Sequence, residues 1–211
     1  MRGKGEAKMR SEIRTVASGL CVILMMVAAL AFPADAPRFS RREVTVEVPD
    51  VTLIDQYGRE VNFRQEMLGD RPVFVEFIFA TCTTICPVLS AGFASIQRKL
   101  GDDRKKVLLV SITIDPEHDG PEELRKYLDR YGAKSGWDFF TGTRQDIDLV
   151  MRAFDAYIPD KMSHRPLTLI HAPGRDHWIE IDGFAGSKDL MKELELALGD
   201  EDEEGERHDQ D

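Results

Sequence analysis

Residues 72–79 read PVFVEFIF, an almost unbroken apolar run rich in strand-forming residues. A short run without alternation predicts a strand covered on both faces. KVLLVSITI at 106–114 predicts a second one. Between them, Leu89, Phe93, Ile96 and Leu100 recur at helical spacing, and Pro87 suits a first turn, where its missing N–H costs nothing. Strand, helix and strand in that order imply a parallel pair joined by a right-handed crossover. Upstream, VTVEV at 44–48 alternates like a strand. Residues 51–54 and 61–63 predict a hairpin with Gly58 in its turn. Downstream, 121–131 predicts a helix that Gly132 stops, 137–140 a short strand, and 144–157 a helix with Ile147, Val150, Met151 and Phe154 on one face. Residues 167–171 and 178–181 predict antiparallel strands around a Pro173–Gly174 turn, and 187–198 the last helix. The expected architecture is α/β: a central mixed β-sheet flanked by helices, with an N-terminal hairpin.

Composition divides the 211 residues further. Five basic residues within 1–15 precede ASGLCVILMMVAALAF at 17–32 and an Ala34-Asp35-Ala36 box. Basic, apolar and small residues in that order make 1–36 a signal peptide or a membrane anchor, since the apolar run is a little shorter than the roughly 20 residues of a full span. Either reading exports the domain to the periplasmic side of the inner membrane. Residues 37–49 are expected to be a linker and first strand, and 50–198 the folded domain. The end, 199–211, carries −7 of the −10 formal charge and nothing apolar. It reads as a disordered, solubilising tail, with metal gathering by its carboxylates and His208 as the alternative. The rest is near neutral and has no basic stripe, so no nucleic-acid partner is expected.

Cys21 lies inside the N-terminal apolar run and is assigned no chemistry. Export then leaves Cys82 and Cys86 as the thiols of the mature domain. A strand ending near Phe79 and a helix opening at Pro87 put both at the carboxyl edge of the sheet, where ligands bind in open α/β folds. Four-residue spacing brings two sulfurs to one side of a turn, and a helix N-terminus favours thiolates. Such a pair can hold a soft metal, exchange disulfides, attack a peroxide, or staple a loop. A staple is the poorest use, because so short a loop confers little entropic stabilisation. A peroxidatic Cys82 would want a proline just ahead of it, which is missing. An added histidine would let two thiolates hold copper in both oxidation states. His164 precedes Pro166 and a strand, which places it at the same edge if the strands are neighbours. His118 and His177 lie in polar turns, and His171 at the far end of its strand. Asp115 and Glu117 are read as turn and helix-start residues rather than as support for the site, and Asp119 as the cap ahead of Pro121. Phe77, Phe79 and Phe93 are read as core.

LIDQYGREVNF, FVEFIFATCTTICP with its CxxxCP, and VSITIDPEHDGPEELRKYLDRYG together resemble the SCO/SenC family over most of residues 50–198. That family comprises thioredoxin-fold copper chaperones of cytochrome c oxidase assembly. The resemblance implies Cys82 and Cys86 as thiolate ligands, His164 as the distal copper ligand, and the copper-bearing subunit of an oxidase, or another copper or thiol protein, as partner. It departs in two places. Ser163 stands where the family usually has an aspartate before the histidine, and the YIPDKMSH connection is compact. Arg165-Pro166-Leu167-Thr168 also resembles the proline-then-strand element of thioredoxins, where a cis proline faces redox cysteines. The alternative is therefore a thiol–disulfide oxidoreductase with Cys82 and Cys86 as its redox pair.

Overall fold

A computed structural model describes residues 38–199. The expected signal or anchor, Cys21, and the acidic tail beyond 199 with His208 lie outside the described residues. Eight strands form one mixed sheet: β1 (Phe39–Val44), β2 (Thr52–Asp55), β3 (Glu60–Asn62), β4 (Val73–Ile78), β5 (Leu108–Thr113), β6 (Trp137–Thr141), β7 (Leu167–His171) and β8 (Trp178–Gly183). Their order is β1-β8-β7-β4-β5-β6-β2-β3. β4, β5 and β6 are parallel, and β7 and β8 add antiparallel partners on the other side of β4. The helices are α1 (Phe63–Met67), α2 (Cys86–Leu100), α3 (Pro121–Arg130), α4 (Arg144–Ala153) and α5 (Ser187–Gly199). The expected α/β, thioredoxin-like architecture is the observed one.

All six residues of β4 are buried, as a strand covered on both faces requires. Phe74 meets Phe93 of α2 edge-on, and Phe77 packs on the opposite face against Phe154 at the end of α4. Phe77, Phe79 and Phe93 are core residues. α4 starts where Thr143 accepts from the Asp146 N–H, and Gly132 (φ +65°) follows α3 as its stop.

Four local expectations need correction. The first strand is 39–44, not 44–48. Its register comes from pairing with β8, where Arg42 Nε donates to Glu180 at 2.7 Å and Phe39 lies against Gly183. A Cβ at Gly183 would come within 2.5 Å of the Arg38 carbonyl, so the crossing depends on that glycine. Val44, Val46 and Val48 all turn toward the core, which explains their alternation although Val46 and Val48 lie beyond the strand. Phe63 does not end the hairpin but opens α1, because the Asn62 side chain accepts from the Gln65 N–H and caps a helix there. Asp119 does not cap α3; Gly120 stands at the cap. Asp119 is buried instead, accepting from the Ala80 N–H and the Thr113 hydroxyl. Finally, Arg165–Pro166 is a trans bond.

Candidate metal centre

The chain leaves β4 at Ile78 and enters α2 at Cys86. The turn between them is pinned from several sides. The Ala80 N–H donates to Asp119, the Ala80 carbonyl accepts from Arg130, and the Cys82 N–H donates to the Phe79 carbonyl. Cys82 is thereby held next to the first residue of α2. On the neighbouring side of β4, the chain reaches β7 through a single 3-10 turn, Lys161–Ser163, that delivers His164. The antiparallel β4–β7 pairing brings this turn to the carboxyl edge of β4.

Cys82, Cys86 and His164 converge there, their ligand atoms all within 4.8 Å of one another. Cys86 Sγ lies 3.1 Å from His164 Nε2. His164 Nδ1 lies 2.8 Å from the Lys161 carbonyl, which can only accept. Nδ1 therefore carries the proton, and Nε2 turns its lone pair toward the sulfurs. The Phe79 ring meets the imidazole edge-on at 5.3 Å. Burial lowers the His164 pKa against the opposing Lys161 hydrogen bond, which keeps the ring in its neutral, ligating form.

The thiols are free and differ in acidity. Burial pushes the Cys82 thiol up, but hydrogen bonds from Cys86 and Thr84 outweigh it and the net shift is downward. Burial, with the Cys82 contact and the Glu76 charge, drives Cys86 far above the usual thiol range. The helix N-terminus thus fails to make Cys86 acidic, because desolvation of a wholly buried sulfur is the larger effect. Donors sharing one ion through bonds of about 2.0–2.3 Å lie no more than roughly 4.5 Å apart. The observed spread needs only a few tenths of an ångström of closure. Two sulfurs and one imidazole suit a soft or borderline ion.

His118, His171 and His177 stay away. His118 contacts Asp115, His177 contacts Asp176, and His171 stacks on Trp178 at the far end of β7. Asp115 and Glu117 are more than turn residues. Asp115 is 4% exposed and pairs with Lys161, while Glu117 pairs with Arg144. Sequence reasoning misses Lys161 and Glu76. Lys161 leaves no signal, since a lysine in a polar loop is ordinary. Glu76 does leave one: an acid within a strand expected to be covered on both faces. It is wholly buried, and its Oε1 accepts from Ser90 at 2.9 Å and Ser111 at 2.7 Å.

The SCO1/SenC family model matches residues 40–174, which include all three site residues. The SCO1 protein homolog of Bacillus subtilis is 33% identical over 115 residues, 53% of this chain and 58% of that protein. This chain spans about half the length of the curated relatives it matches. BsSco, a member of the Sco family of cytochrome c oxidase assembly proteins in which a disulfide switch was identified, superposes with a TM-score of 0.62 at 26% identity. That match covers 74% of this chain and 95% of BsSco. Copper-bound ScoI of Arabidopsis thaliana shares the fold with a TM-score of 0.58 at 20% identity, over 71% and 96% of the two chains. The chain is a member of the SCO1/SenC family.

Proposed function

We propose that this chain is a copper metallochaperone. It holds copper at Cys82, Cys86 and His164 and passes it to the copper-bearing subunit of a membrane oxidase. One observation carries this reading: three ligand atoms from segments 78 residues apart lie within 4.8 Å of one another. Family membership and the copper-bound relative support copper as the ion. The N-terminal layout supports export and attachment on the periplasmic side of the inner membrane. Cu(I) requires both thiols to lose their protons; Cys82 gives its proton up more readily, and the ion's charge offsets the cost at Cys86. His164 needs no proton loss. A site made of two segments can also open at one of them, which permits ligand exchange with an acceptor.

The test is a titration of the reduced full chain with Cu(I) against a chromophoric chelator, and with Cu(II) followed by its thiolate charge-transfer absorption. One equivalent of each should bind, with the absorption saturating at that ratio. Uptake that never saturates, or no charge-transfer band, would overturn the reading.

The unequal thiols favour a second activity, disulfide exchange. The Cys82 thiolate would attack a substrate disulfide and release one thiolate. Cys86, its proton passing to the first thiolate released, would then attack the Cys82 sulfur and release the other, leaving the substrate reduced and this pair oxidised. If Cys82 is the attacking thiol, iodoacetamide at pH 8 modifies it at least about tenfold faster than Cys86 in the metal-free chain. Equal rates would remove this assignment.

A further inference from the structure

We propose that the Asp115–Lys161 ion pair is a latch that holds His164 against the two thiols, so that both residues are positioning residues for the oxidised form of the metal site. This rests on the copper reading above. The His164 ring is oriented by the Lys161 carbonyl. The placement of the Lys161 backbone therefore sets where Nε2 points. Within the turn, Met162 is 64% exposed and the Asp160 side chain accepts from its N–H, while Arg165, just after His164, pairs with Asp155 and Asp182 and fixes the far end of the segment. What reaches from this turn into the body of the domain is the Lys161 side chain. Its ammonium pairs with Asp115 and lies 5.2 Å from the centre of the Phe79 ring, the same ring that borders the imidazole.

The other half of the latch is rigid. Asp115 follows β5 closely, its N–H donates to the Thr113 hydroxyl at 2.9 Å, and its carbonyl accepts from the His118 and Asp119 N–H groups. His118 Nδ1 lies 3.0 Å from the second carboxylate oxygen. The ion pair thus couples the turn that orients one ligand to a fixed point at the end of a parallel strand, 46 residues away.

The consequence is selective for oxidation state. Cu(I) is satisfied by two soft thiolates, whereas Cu(II) draws on the imidazole. Releasing the latch leaves both sulfurs in place and loosens the turn whose Lys161 carbonyl orients the imidazole. Lys161→Met and Asp115→Asn should each lower Cu(II) affinity about 10- to 100-fold, the usual range for groups that orient a metal ligand. Each should also shift the charge-transfer band and the copper hyperfine splitting, with Cu(I) affinity changed less than about threefold. Lys161→Arg, which keeps the charge pair, should restore Cu(II) binding. In the metal-free chain, hydrogen exchange at residues 161–164 should quicken in Lys161→Met and in Asp115→Asn.

Cu(I) affinity serves as the folding control for each variant, and two independent variants guard against the misfolding of one. Cu(II) affinity within threefold of wild type in both variants would overturn the latch, as would equal losses of both oxidation states or no rescue by arginine. If the unaltered chain fails to bind copper, the copper reading falls with the latch. If it binds copper and the variants match it, the latch alone falls.

Discussion

Changing both Cys82 and Cys86 to serine lowers Cu(I) affinity by at least about a thousandfold, roughly 4 kcal/mol of binding free energy. A serine hydroxyl is a hard oxygen donor that stays protonated at neutral pH, so it replaces neither the softness nor the charge of a thiolate. What remains is His164, one neutral imidazole 3.1 Å from where the Cys86 sulfur stood. The chain should still fold, because the strand and helix on either side of the pair are anchored by Phe74, Phe77 and Phe93 rather than by sulfur. His164→Ala sets the contrast. It leaves both thiolates and should cost Cu(II) far more than Cu(I). Chelator competition on the reduced proteins measures all of these. Full affinity in the double-serine protein would sink the metallochaperone reading altogether.

The stability of the reduced, metal-free chain falls by about 5 kcal/mol between pH 4 and pH 9 through one residue, Glu76. Its carboxyl is wholly buried, two hydroxyls donate to one oxygen, and the other oxygen has no hydrogen-bond partner among the described residues. Burial raises its pKa to about 8 against the opposing hydrogen bonds from Ser111 and Ser90. The folded chain therefore keeps a proton that the unfolded chain releases near pH 4.3. Folding binds that proton between those two values, so stability is greatest below the lower one, declines as the pH rises, and levels off above about 8. Glu76→Gln keeps a carbonyl for both serine hydroxyls and cannot ionise. The variant should match wild type within about 1 kcal/mol at pH 5 and exceed it by several kcal/mol at pH 9. Asp119, also raised by burial, slopes the same way. Asp55, Asp115 and Glu117 are lowered and act at acid pH with the opposite sign. The difference between wild type and variant isolates Glu76. Urea unfolding across this range measures it, and two parallel pH profiles would refute the assignment.

Elements whose pattern is dictated by their own burial are legible in the order of residues alone. β4 and β5 announce themselves as apolar runs because both faces are covered, and α2 does so because its buried stripe has helical spacing. The placement of Cys82 and Cys86 follows from those neighbours. Elements decided by a distant partner are not legible in this way. β1 takes its position from β8, more than 130 residues away, and the alternating valines after it face the core without pairing. α1 escapes local reading because one cap at Asn62 outweighs a strand-like pattern.

The same division runs through the site. Residue types and spacing by themselves determined that two thiols stand at the end of a buried strand and that a histidine precedes a later one, because short-range order needs only local patterning. Whether the histidine meets the thiols depended on β7 pairing with β4, a contact between segments far apart in the chain. The inequality of the thiols, the tie between Asp115 and Lys161 and the proton on Glu76 were likewise decided only by the tertiary structure. All three arise from burial and from the orientation of neighbours across space, which a linear sequence does not contain.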